Sequence, residues 1–281
     1  MRPDVRVAVV GHVEWVQFAR VAHVPAAGEV VHASDAFEEP AGGGAVAAVQ
    51  LARLAGTSLL ITALGDDEHG HKSIARLGEL GVRVLPVWRD APTRRAVTLL
   101  DPSGERTITT FGERLEPRGD DRVAWRELER MDAVYFTAGD LRALQRARRA
   151  RTLVASPRAL HALGHGVALD ALTLSTHDAA EQRAAGEQVK ADAELLVLTN
   201  GAEGGRYVTH DGISGSWRPA TPPGPAVDSY GCGDSFAAGL TFGLGAGEDV
   251  EEALTLAAKC GAYCLTGRGP YASQLAYVPL D

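Results

Sequence analysis

The chain has 281 residues, of which 45% are hydrophobic and 23% are charged, and its formal net charge at pH 7 is −8. This composition is typical of a globular protein, the acidic balance argues against a nucleic-acid partner, and no stretch is apolar enough to cross a membrane. Three cysteines and an N-terminus without a signal-peptide core predict a cytoplasmic protein. The length suits a single α/β domain spanning residues 1–281.

Apolar runs typical of strands alternate along the chain with Ala- and Leu-rich amphipathic stretches. The predicted strands cover residues 5–10, 58–63, 82–87, 133–136, 152–155, 171–174 and 195–199. The predicted helices cover residues 45–55, 69–80, 140–150, 178–188, 234–244 and 250–266. This alternation predicts an α/β fold with a largely parallel central sheet. Two polar, β-prone segments near residues 15–37 and 93–111 interrupt the pattern.

A glycine loop that runs into a predicted helix, at residues 228–234, has the features of a phosphoryl-transfer site. Gly231 and Gly233 let backbone N–H groups approach an anion, and the start of the helix adds unpaired donors and a positive dipole end. Asp234 is either a cap of this helix or a base beside the anion. Transfer of phosphate to a hydroxyl needs both a base and an anion cradle, and this segment supplies both.

Five motifs occur in the order found in the ribokinase-like (PfkB) carbohydrate kinase family, which the chain resembles over nearly its whole length. Residues 228–234 read Asp-Ser-Tyr-Gly-Cys-Gly-Asp, beside the family signature Asp-Thr-x-Gly-Ala-Gly-Asp. The other four are Gly-Gly-Gly at 42–44, Gly-Asp-Asp-Glu-His-Gly at 65–70, Gly-Glu-Arg-Thr at 104–107 and Thr-Asn-Gly-Ala-Glu-Gly at 199–204. Any one of these segments could be a simple turn, but their shared order favours the family.

The resemblance implies a ribokinase-like three-layer sandwich with a largely parallel central sheet. Residues near 15–37 and 93–111 would form a small β lid over the acceptor. Asp234 would be the catalytic base, and Gly231, Cys232 and Gly233 would form the loop that holds the transferring phosphate.

The resemblance also implies a nucleotide site and cations. ATP would bind between a loop and a helix, whose expected contact residues are Thr199, Gly201, Gly204, Ala257 and Gly261. The small residues of the helix have tight helix packing as an alternative role. Mg²⁺ is expected with ATP, a monovalent cation such as K⁺ is a further expectation, and a homodimer through the lid is the expected assembly.

Acceptor-side residues implied by the resemblance are Glu14, Gly42, Gly43 and Arg106. Two polar positions of the family's sugar kinases are aliphatic here, since an Asp aligns with Val16 and an Asn with Val46 or Ala47. Buried sugar hydroxyls would lose partners at these positions, so we expect poor use of ribose.

Polar residues next to the first strand offer a different acceptor set from that of the sugar kinases. His12 and Gln17 lie close to Glu14 in sequence. Trp15 and Phe18 would either stack on a base or pack within the lid.

The residues expected near the metal match the family motif less closely than residues 228–234 match theirs. The family's Asn-x-x-Glu motif aligns with residues 175–178, Ser-Thr-His-Asp, so Asp178 would replace the glutamate. Asp178 and Asp228 are the expected metal-side residues, although Asp178 would serve equally as a helix cap.

The sequence therefore predicts an ATP- and Mg²⁺-dependent kinase that phosphorylates a hydroxyl of a small sugar-like or nucleoside-like acceptor. The first strand lacks the Gly-x-Gly-x-x-Gly turn of a dinucleotide-binding dehydrogenase, and the chain has no P-loop. The alternative is a catalytically weak ribokinase-fold protein that binds a metabolite or regulates another protein, because its acceptor residues depart from the family pattern.

Overall fold

The computed structural model describes residues 4–159, 161–184, 189–190 and 192–277. The strands in these residues are β1 (Val7–Val10), β2 (Glu14–Arg20), β3 (Asp35–Ala41), β4 (Ser58–Gly65), β5 (Val82–Arg89), β6 (Arg95–Leu100), β7 (Arg106–Phe111), β8 (Ala133–Phe136), β9 (Thr152–Ala155), β10 (Ala171–Ser175), β11 (Leu195–Thr199), β12 (Gly205–Thr209) and β13 (Ser214–Trp217). The helices are α1 (Gly43–Ala55), α2 (Glu68–Glu79), α3 (Leu141–Ala147), α4 (Ala179–Ala184), α5 (Cys232–Ala246) and α6 (Val250–Cys264).

The larger sheet has the strand order β13-β12-β11-β10-β9-β8-β1-β4-β5. The seven strands from β11 to β5 run parallel, and they are the seven that the sequence predicts. The first strand lies between β4 and β8, so the strand order reverses at β1. Open α/β sheets bind ligands outside the carboxyl ends of their strands at such a point.

Two antiparallel strands, β12 and β13, extend one edge of this sheet and were not predicted. Their sequences, Gly-Arg-Tyr-Val-Thr and Ser-Gly-Ser-Trp, are short, and Tyr207 is their one buried residue. An edge strand with little buried surface carries a weak hydrophobic pattern, which explains why the sequence did not mark it.

Helices cover both faces of the large sheet. Val7 and Val9 of β1 point into a core shared with α1, α5 and α6, whereas Ala8 and Val10 point into a core shared with α3. All four β1 side chains are buried, which explains the uninterrupted apolar run of this parallel strand. The predicted three-layer α/β sandwich is therefore confirmed.

A smaller sheet with the order β3-β2-β6-β7 is formed by the two β-prone segments. Phe18 of β2 is fully buried, stacks on Phe37 at a ring distance of 4.8 Å and meets the edge of Tyr230 at 4.9 Å. Arg20 donates to the carbonyl oxygen of Val227 at 3.2 Å. These contacts hold the small sheet against the loop that precedes α5.

Two helices are shorter than predicted. Asp140 caps α3 through the amide of Ala143 at 2.8 Å, and the helix ends at Ala147, where turns continue to the following strand. The described part of the fourth predicted helix is α4, and residues 185–188 of that prediction lie outside the described residues. None of the helices in the described ranges is long and apolar enough to span a membrane.

Candidate active site

The loop before α5 has two glycines with different roles. Gly231 has φ +82°, and a Cβ there would lie 2.8 Å from Cγ1 of Val46, so both conformation and packing require glycine. A Cβ on Gly233 would meet nothing within 4 Å. The amide of Cys232 donates to the carbonyl oxygen of Ser229 at 3.4 Å, whereas the amides of Gly233 and Asp234 have no backbone acceptor among the described residues. The loop therefore combines a fixed turn at Gly231 with open space at Gly233, where an anion can approach.

Asp228 holds this loop from inside. Its side chain is fully buried, and its two carboxylate oxygens accept the backbone N–H groups of Tyr230 at 2.8 Å and Gly269 at 3.1 Å. Burial raises the pKa of Asp228, and these hydrogen bonds oppose the shift. The structure thus gives Asp228 a bracing role in the loop, and its contact with a metal stays a prediction.

Arg106 lies on β7 of the small sheet and reaches the same loop. Its Nη1 donates to the hydroxyl of Ser229 at 2.9 Å and to the carbonyl oxygen of Ser229 at 3.2 Å. The predicted acceptor-side arginine therefore ties the small sheet to the catalytic loop.

Asp234 is the third residue of α5, and that helix has no side-chain capping hydrogen bond. A Cβ on Gly43 would lie 2.9 Å from Oδ1 of Asp234, so the carboxylate lies against the start of α1. Burial raises the pKa of Asp234 above its ordinary value; Arg158 opposes this shift, Glu181 adds to it and Arg106 opposes it. The carboxylate is thus partly buried and makes no capping hydrogen bond to the start of α5, the alternative that the sequence left open.

The glycines at the start of α1 bring that helix against the end of β1. A Cβ on Gly44 would lie 2.6 Å from the carbonyl oxygen of His12, and the amide of Gly44 donates to that oxygen at 3.1 Å. Gly42 has φ +89°, and its amide donates to the hydroxyl of Tyr230 at 3.1 Å. Gly42 and Gly43 thus shape the site through their backbone and their lack of a side chain.

His12, one of the polar residues that the sequence offers as a different acceptor set, lies next to this contact. It is 5% exposed, and its Nε2 accepts the N–H of Gly43 at 3.3 Å. Burial lowers the pKa of His12 well below its ordinary value, and the charges of Arg114, Arg158 and Arg94 lower it further. Neutral His12 therefore carries its proton on Nδ1, which has no partner among the described residues.

Asp234, His12, Glu14 and Arg94 form a row of polar side chains, called the polar line below. Glu14 is its member between His12 and the small sheet. Its Oε1 lies 3.2 Å from Nη1 of Arg94 and 3.9 Å from Nε2 of His12. Burial raises the pKa of Glu14, with Arg94 the strongest opposing charge. The other end of Arg94 donates to the hydroxyl of Thr110 at 2.7 Å, while its buried Nε lacks a partner in the described ranges. Glu14 is thus a buried carboxylate paired with Arg94, and its contact with the acceptor stays a prediction.

The aliphatic replacements lie in the core. Val16, Val46 and Ala47 are all fully buried, and Val46 packs under Gly231. Trp15 donates to Oε2 of Glu38 at 3.0 Å and stacks on His69 at a ring distance of 5.4 Å. For Trp15, as for Phe18, the structure shows packing within and around the small sheet.

The predicted nucleotide loop lies at the carboxyl end of β11. The carbonyl oxygen of Thr199 accepts the N–H of Thr176 at 2.9 Å, and Asn200 donates to the carbonyl oxygen of Gly204 at 2.8 Å. Gly201 has φ +54° and is exposed, whereas a Cβ on Gly204 would lie 2.3 Å from the carbonyl oxygen of Trp217. The loop is a tight turn whose tip faces solvent.

The two predicted residues of α6 have different surroundings. Ala257 is fully buried, and its Cα would lie 2.8 Å from a Cβ on Gly239 of α5. Ala257 is therefore a helix-packing residue in this structure, which offers no surface to adenine. Gly261 is partly exposed, and a Cβ there would lie 3.3 Å from the carbonyl oxygen of Cys232. Only Gly261 of this pair lies beside the catalytic loop with accessible surface.

Glu181 is a site residue that the sequence reasoning missed. Asp178 caps α4 by accepting the N–H of Glu181 at 3.1 Å. Glu181 itself accepts the N–H of Ser175 at 2.9 Å and Nε of Arg158 at 2.9 Å. Residues 178–181 read Asp-Ala-Ala-Glu, so Glu181 follows the predicted metal-side residue Asp178 by three positions. The role of Asp178 beside a metal stays a prediction.

The model of the pfkB family carbohydrate kinases matches residues 5–175 and 166–276. The chain belongs to this family. The ATP-dependent ribose-1-phosphate kinase of Halopiger xanaduensis is 31% identical over 285 residues, covering 92% of this chain and 91% of that protein. The fructokinase of Klebsiella pneumoniae is 30% identical over 280 residues, covering 84% of this chain and 90% of that protein.

Solved structures of ribokinases have the same fold as this pfkB family member. The ribokinase from Thermotoga maritima is 21% identical, with a TM-score of 0.76 and coverage of 97% of this chain and 96% of that chain. The Arabidopsis thaliana ribokinase complexed with ribose and ATP is 19% identical, with a TM-score of 0.75 and 96% coverage of both chains. Membership of the family makes this protein a carbohydrate kinase, a phosphotransferase whose acceptor is an alcohol group.

Proposed function

We propose that this kinase transfers the γ-phosphate of ATP to a hydroxyl of a small sugar-like or nucleoside-like acceptor, with Asp234 as general base. The observation that carries the proposal is the state of the Asp234 carboxylate. It is partly buried, makes no capping hydrogen bond, and lies between the start of α1 and the first turn of α5. A general base must have an oxygen free to accept the hydroxyl proton, and this arrangement leaves one.

In the proposed reaction the acceptor oxygen forms a bond to the γ-phosphorus, while the bond from that phosphorus to the β–γ bridging oxygen breaks. The acceptor proton moves to Asp234, and ADP leaves with the electron pair of the broken bond. The first amides of α5, next to Gly233, stabilise the charge on the transferring group. Positioning and electrostatics supply the catalysis because phosphoryl transfer requires little covalent participation by the protein.

The acceptor would bind along the polar line from Asp234 through His12 and Glu14 to Arg94. The Nδ1–H of His12 is a donor without a partner in the described residues, and Glu14 offers carboxylate oxygens. Buried groups of this kind gain most from a ligand that pairs with each of them. We propose that they bind hydroxyls of the acceptor, with the small sheet acting as the lid.

Mg²⁺ fits this site as a partner of ATP. The described residues contain no group of three or more His, Cys, Asp or Glu side chains that could hold a metal. Magnesium that arrives with ATP needs only one or two protein carboxylates, since phosphate oxygens and water complete its octahedron. Glu181 and Asp178 meet that smaller requirement, and the ion would neutralise charge on the β- and γ-phosphates. A K⁺ site and a homodimer through the lid stay predictions.

A panel of acceptors tests the proposal. The relatives are named for ribose 1-phosphate and fructose, so the panel contains both, together with ribose, sugar acids and nucleosides. ADP formation is measured with each compound, with the Asp234→Asn variant as the matched control. We expect one acceptor class to raise ADP formation in the wild type only. Tight binding of a panel compound by calorimetry, without ADP formation, would instead favour the alternative of a metabolite-binding protein with weak catalysis.

A further inference from the structure

Thr137 carries a buried hydroxyl that the proposed reaction has not yet used. It directly follows β8, at the carboxyl end of the large sheet, and it is fully buried. Its hydroxyl has no hydrogen-bond partner among the described residues. A buried hydroxyl without a partner costs free energy, so folded proteins contain few of them. The hydroxyl of Thr137 is therefore a group that a bound ligand can satisfy.

The packing of Thr137 fixes the direction of that hydroxyl. The amide of Thr137 donates to the carbonyl oxygen of Val10 at 2.9 Å, which attaches the residue to the end of β1. A Cβ on Gly11 would lie 2.6 Å from Cγ2 of Thr137, so the methyl group lies against Gly11. A β-branched side chain has few rotamers, and with the methyl group held there the hydroxyl lies on the side of Gly43.

The hydroxyl of Thr137 and the carboxylate of Asp234 lie beside the same point. A Cβ on Gly43 would lie 3.2 Å from Oγ1 of Thr137 and 2.9 Å from Oδ1 of Asp234. The two oxygens are therefore no more than about 6.1 Å apart, the sum of those distances, yet they form no hydrogen bond with each other. Two O–H···O hydrogen bonds of about 2.7 Å each span such a gap through a single oxygen atom. The geometry thus provides a place for one ligand oxygen between Thr137 and Asp234.

Two other buried threonines also have a hydroxyl without a partner, but at other places in the fold. Thr62 lies within β4 and Thr98 within β6, and both hydroxyls lack a partner in the described ranges. Neither is among the three atoms nearest to the Cβ position of Gly43, where the third atom is Cε1 of His12 at 3.5 Å. Thr137 is thus the unpaired threonine hydroxyl that lies next to the proposed base.

We propose that Thr137 is a further catalytic residue, whose hydroxyl binds the same acceptor oxygen that Asp234 deprotonates. This inference rests on the proposed function. The acceptor hydroxyl donates its hydrogen to Oδ1 of Asp234 and accepts the hydroxyl hydrogen of Thr137, so two hydrogen bonds orient the oxygen. Its second lone pair stays free to attack the γ-phosphorus.

The bonds that form and break are those of the transfer itself. The acceptor proton moves to Asp234, and Thr137 keeps its own proton throughout. Holding the acceptor oxygen in the direction of attack removes part of the entropy that the reaction would otherwise lose. Negative charge grows on that oxygen as its proton leaves, so the hydrogen bond from Thr137 becomes stronger. The contact therefore raises kcat/KM for the acceptor and leaves the binding of ATP unchanged.

The first experiment compares Thr137→Val with Thr62→Val. Each substitution removes one buried, unpaired hydroxyl and nearly keeps the shape of the side chain, so Thr62 is the matched control. With the acceptor identified by the panel, Thr137→Val should lower kcat/KM for the acceptor by about 10–10²-fold, the usual effect of losing a hydrogen bond to a group that becomes charged. The KM for ATP should stay close to the wild-type value. Thr62→Val should change neither constant, and Thr137→Ser, which keeps a hydroxyl, should recover most of the loss.

The second experiment separates catalysis from a purely structural role. Removal of an unpaired buried hydroxyl relieves its desolvation cost, so the melting temperature of Thr137→Val should equal or exceed that of the wild type. A double-mutant cycle with Asp234→Asn tests whether both side chains act on one oxygen. Without the base, no charge develops on the acceptor oxygen before attack, so Thr137→Val should reduce kcat/KM less in the Asp234→Asn background than in the wild type.

A folded Thr137→Val variant with the wild-type kcat/KM would overturn the inference, because the hydroxyl would then contact water only, while the kinase itself would stand. Equal losses in Thr137→Val and Thr62→Val, a clear fall in melting temperature, or fully additive losses in the cycle would also overturn it. A wild type that formed no ADP with any panel compound would overturn the proposed function, and this inference with it. The activity of the wild type therefore distinguishes the two failures.

Discussion

The acceptor end of the site and the nucleotide edge both depend on glycines, but for different physical reasons. At the acceptor end, a Cβ on Gly43 would have Asp234, Thr137 and His12 within 3.5 Å. At the nucleotide edge, a Cβ on Gly201 would have only a His177 nitrogen, at 3.9 Å. The first glycine admits the close approach of two helices and a strand, whereas the second permits a local turn with φ +54°.

On the proposed function, this difference assigns different tasks to the two regions. Desolvated polar groups interact strongly and cost free energy when unpaired, so the acceptor end can discriminate hydroxyls and activate one of them. On the proposed function, the exposed tip of the loop at residues 199–204 would contribute nucleotide binding, with weaker electrostatics because solvent surrounds it. The predictions below test this contrast between the region around Asp234, proposed for catalysis, and the exposed loop at residues 199–204, proposed for nucleotide binding.

The largest effect is expected for Asp234→Asn. Loss of the general base should reduce kcat by about 10²–10⁴-fold, while ADP affinity stays close to that of the wild type. Because burial raises the pKa of Asp234, the ionised carboxylate destabilises the fold at neutral pH, so the melting temperature of the variant should equal or exceed that of the wild type. A clear fall in melting temperature would instead indicate a structural, helix-capping role. Steady-state kinetics and thermal unfolding measure both quantities.

Gly231→Ala and Gly233→Ala test two different roles of glycine in one loop. The first tests backbone conformation and packing, and the second tests access for an anion. Gly231→Ala should destabilise the fold by about 1–2 kcal/mol for the left-handed conformation and by about 1–3 kcal/mol for the clash with Val46. Gly233→Ala meets no atom within 4 Å and should leave stability unchanged while reducing kcat/KM for ATP, since its methyl group enters the anion space. Urea unfolding of the two variants is the measurement. Equal destabilisation would contradict the assigned roles.

Gly201→Val tests the exposed edge. A branched side chain at φ +54° should distort the turn and raise the KM for ATP several-fold, with a smaller change in the KM for the acceptor. Steady-state kinetics with each substrate varied in turn gives both constants. Proportional increases in the two constants would point to a general folding defect, and thermal unfolding of the variant serves as the control.

The smallest effect concerns pH. The reactive form of Asp234 is ionised, and burial raises its pKa, so kcat/KM should fall on acidification at a pH above the ordinary value for an aspartate. The affinity for ADP should show no matching decrease, because the exposed edge holds the nucleotide. A profile of kcat/KM and ADP affinity against pH makes the comparison. An acidic limb at or below the ordinary value would mean that solvent reaches the carboxylate.

Much of the fold was accessible from the sequence because its signals are local. The seven parallel strands are apolar runs with both faces covered, and Gly231, Gly233 and Asp234 lie within four residues of one another. The edge strands β12 and β13 escaped prediction, because strands with little buried surface leave a weak pattern. The roles of Ala257 and Asp228 could be seen only in the structure. Ala257 packs on Gly239, and Asp228 accepts a hydrogen bond from the amide of Gly269, and neither partner is close in sequence.

By itself, the sequence determined the family, the order of most elements and the position of Asp234, the proposed base. Tertiary structure decided which charges surround that base. Arg158 and Glu181 are 23 residues apart, and the contact between Arg106 and Ser229 spans 123 residues. Charged side chains on separate turns and strands come together only because the parallel sheet places the carboxyl ends of its strands at one edge. The pKa values of these side chains depend on how deeply that edge is buried. No local pattern encodes that depth.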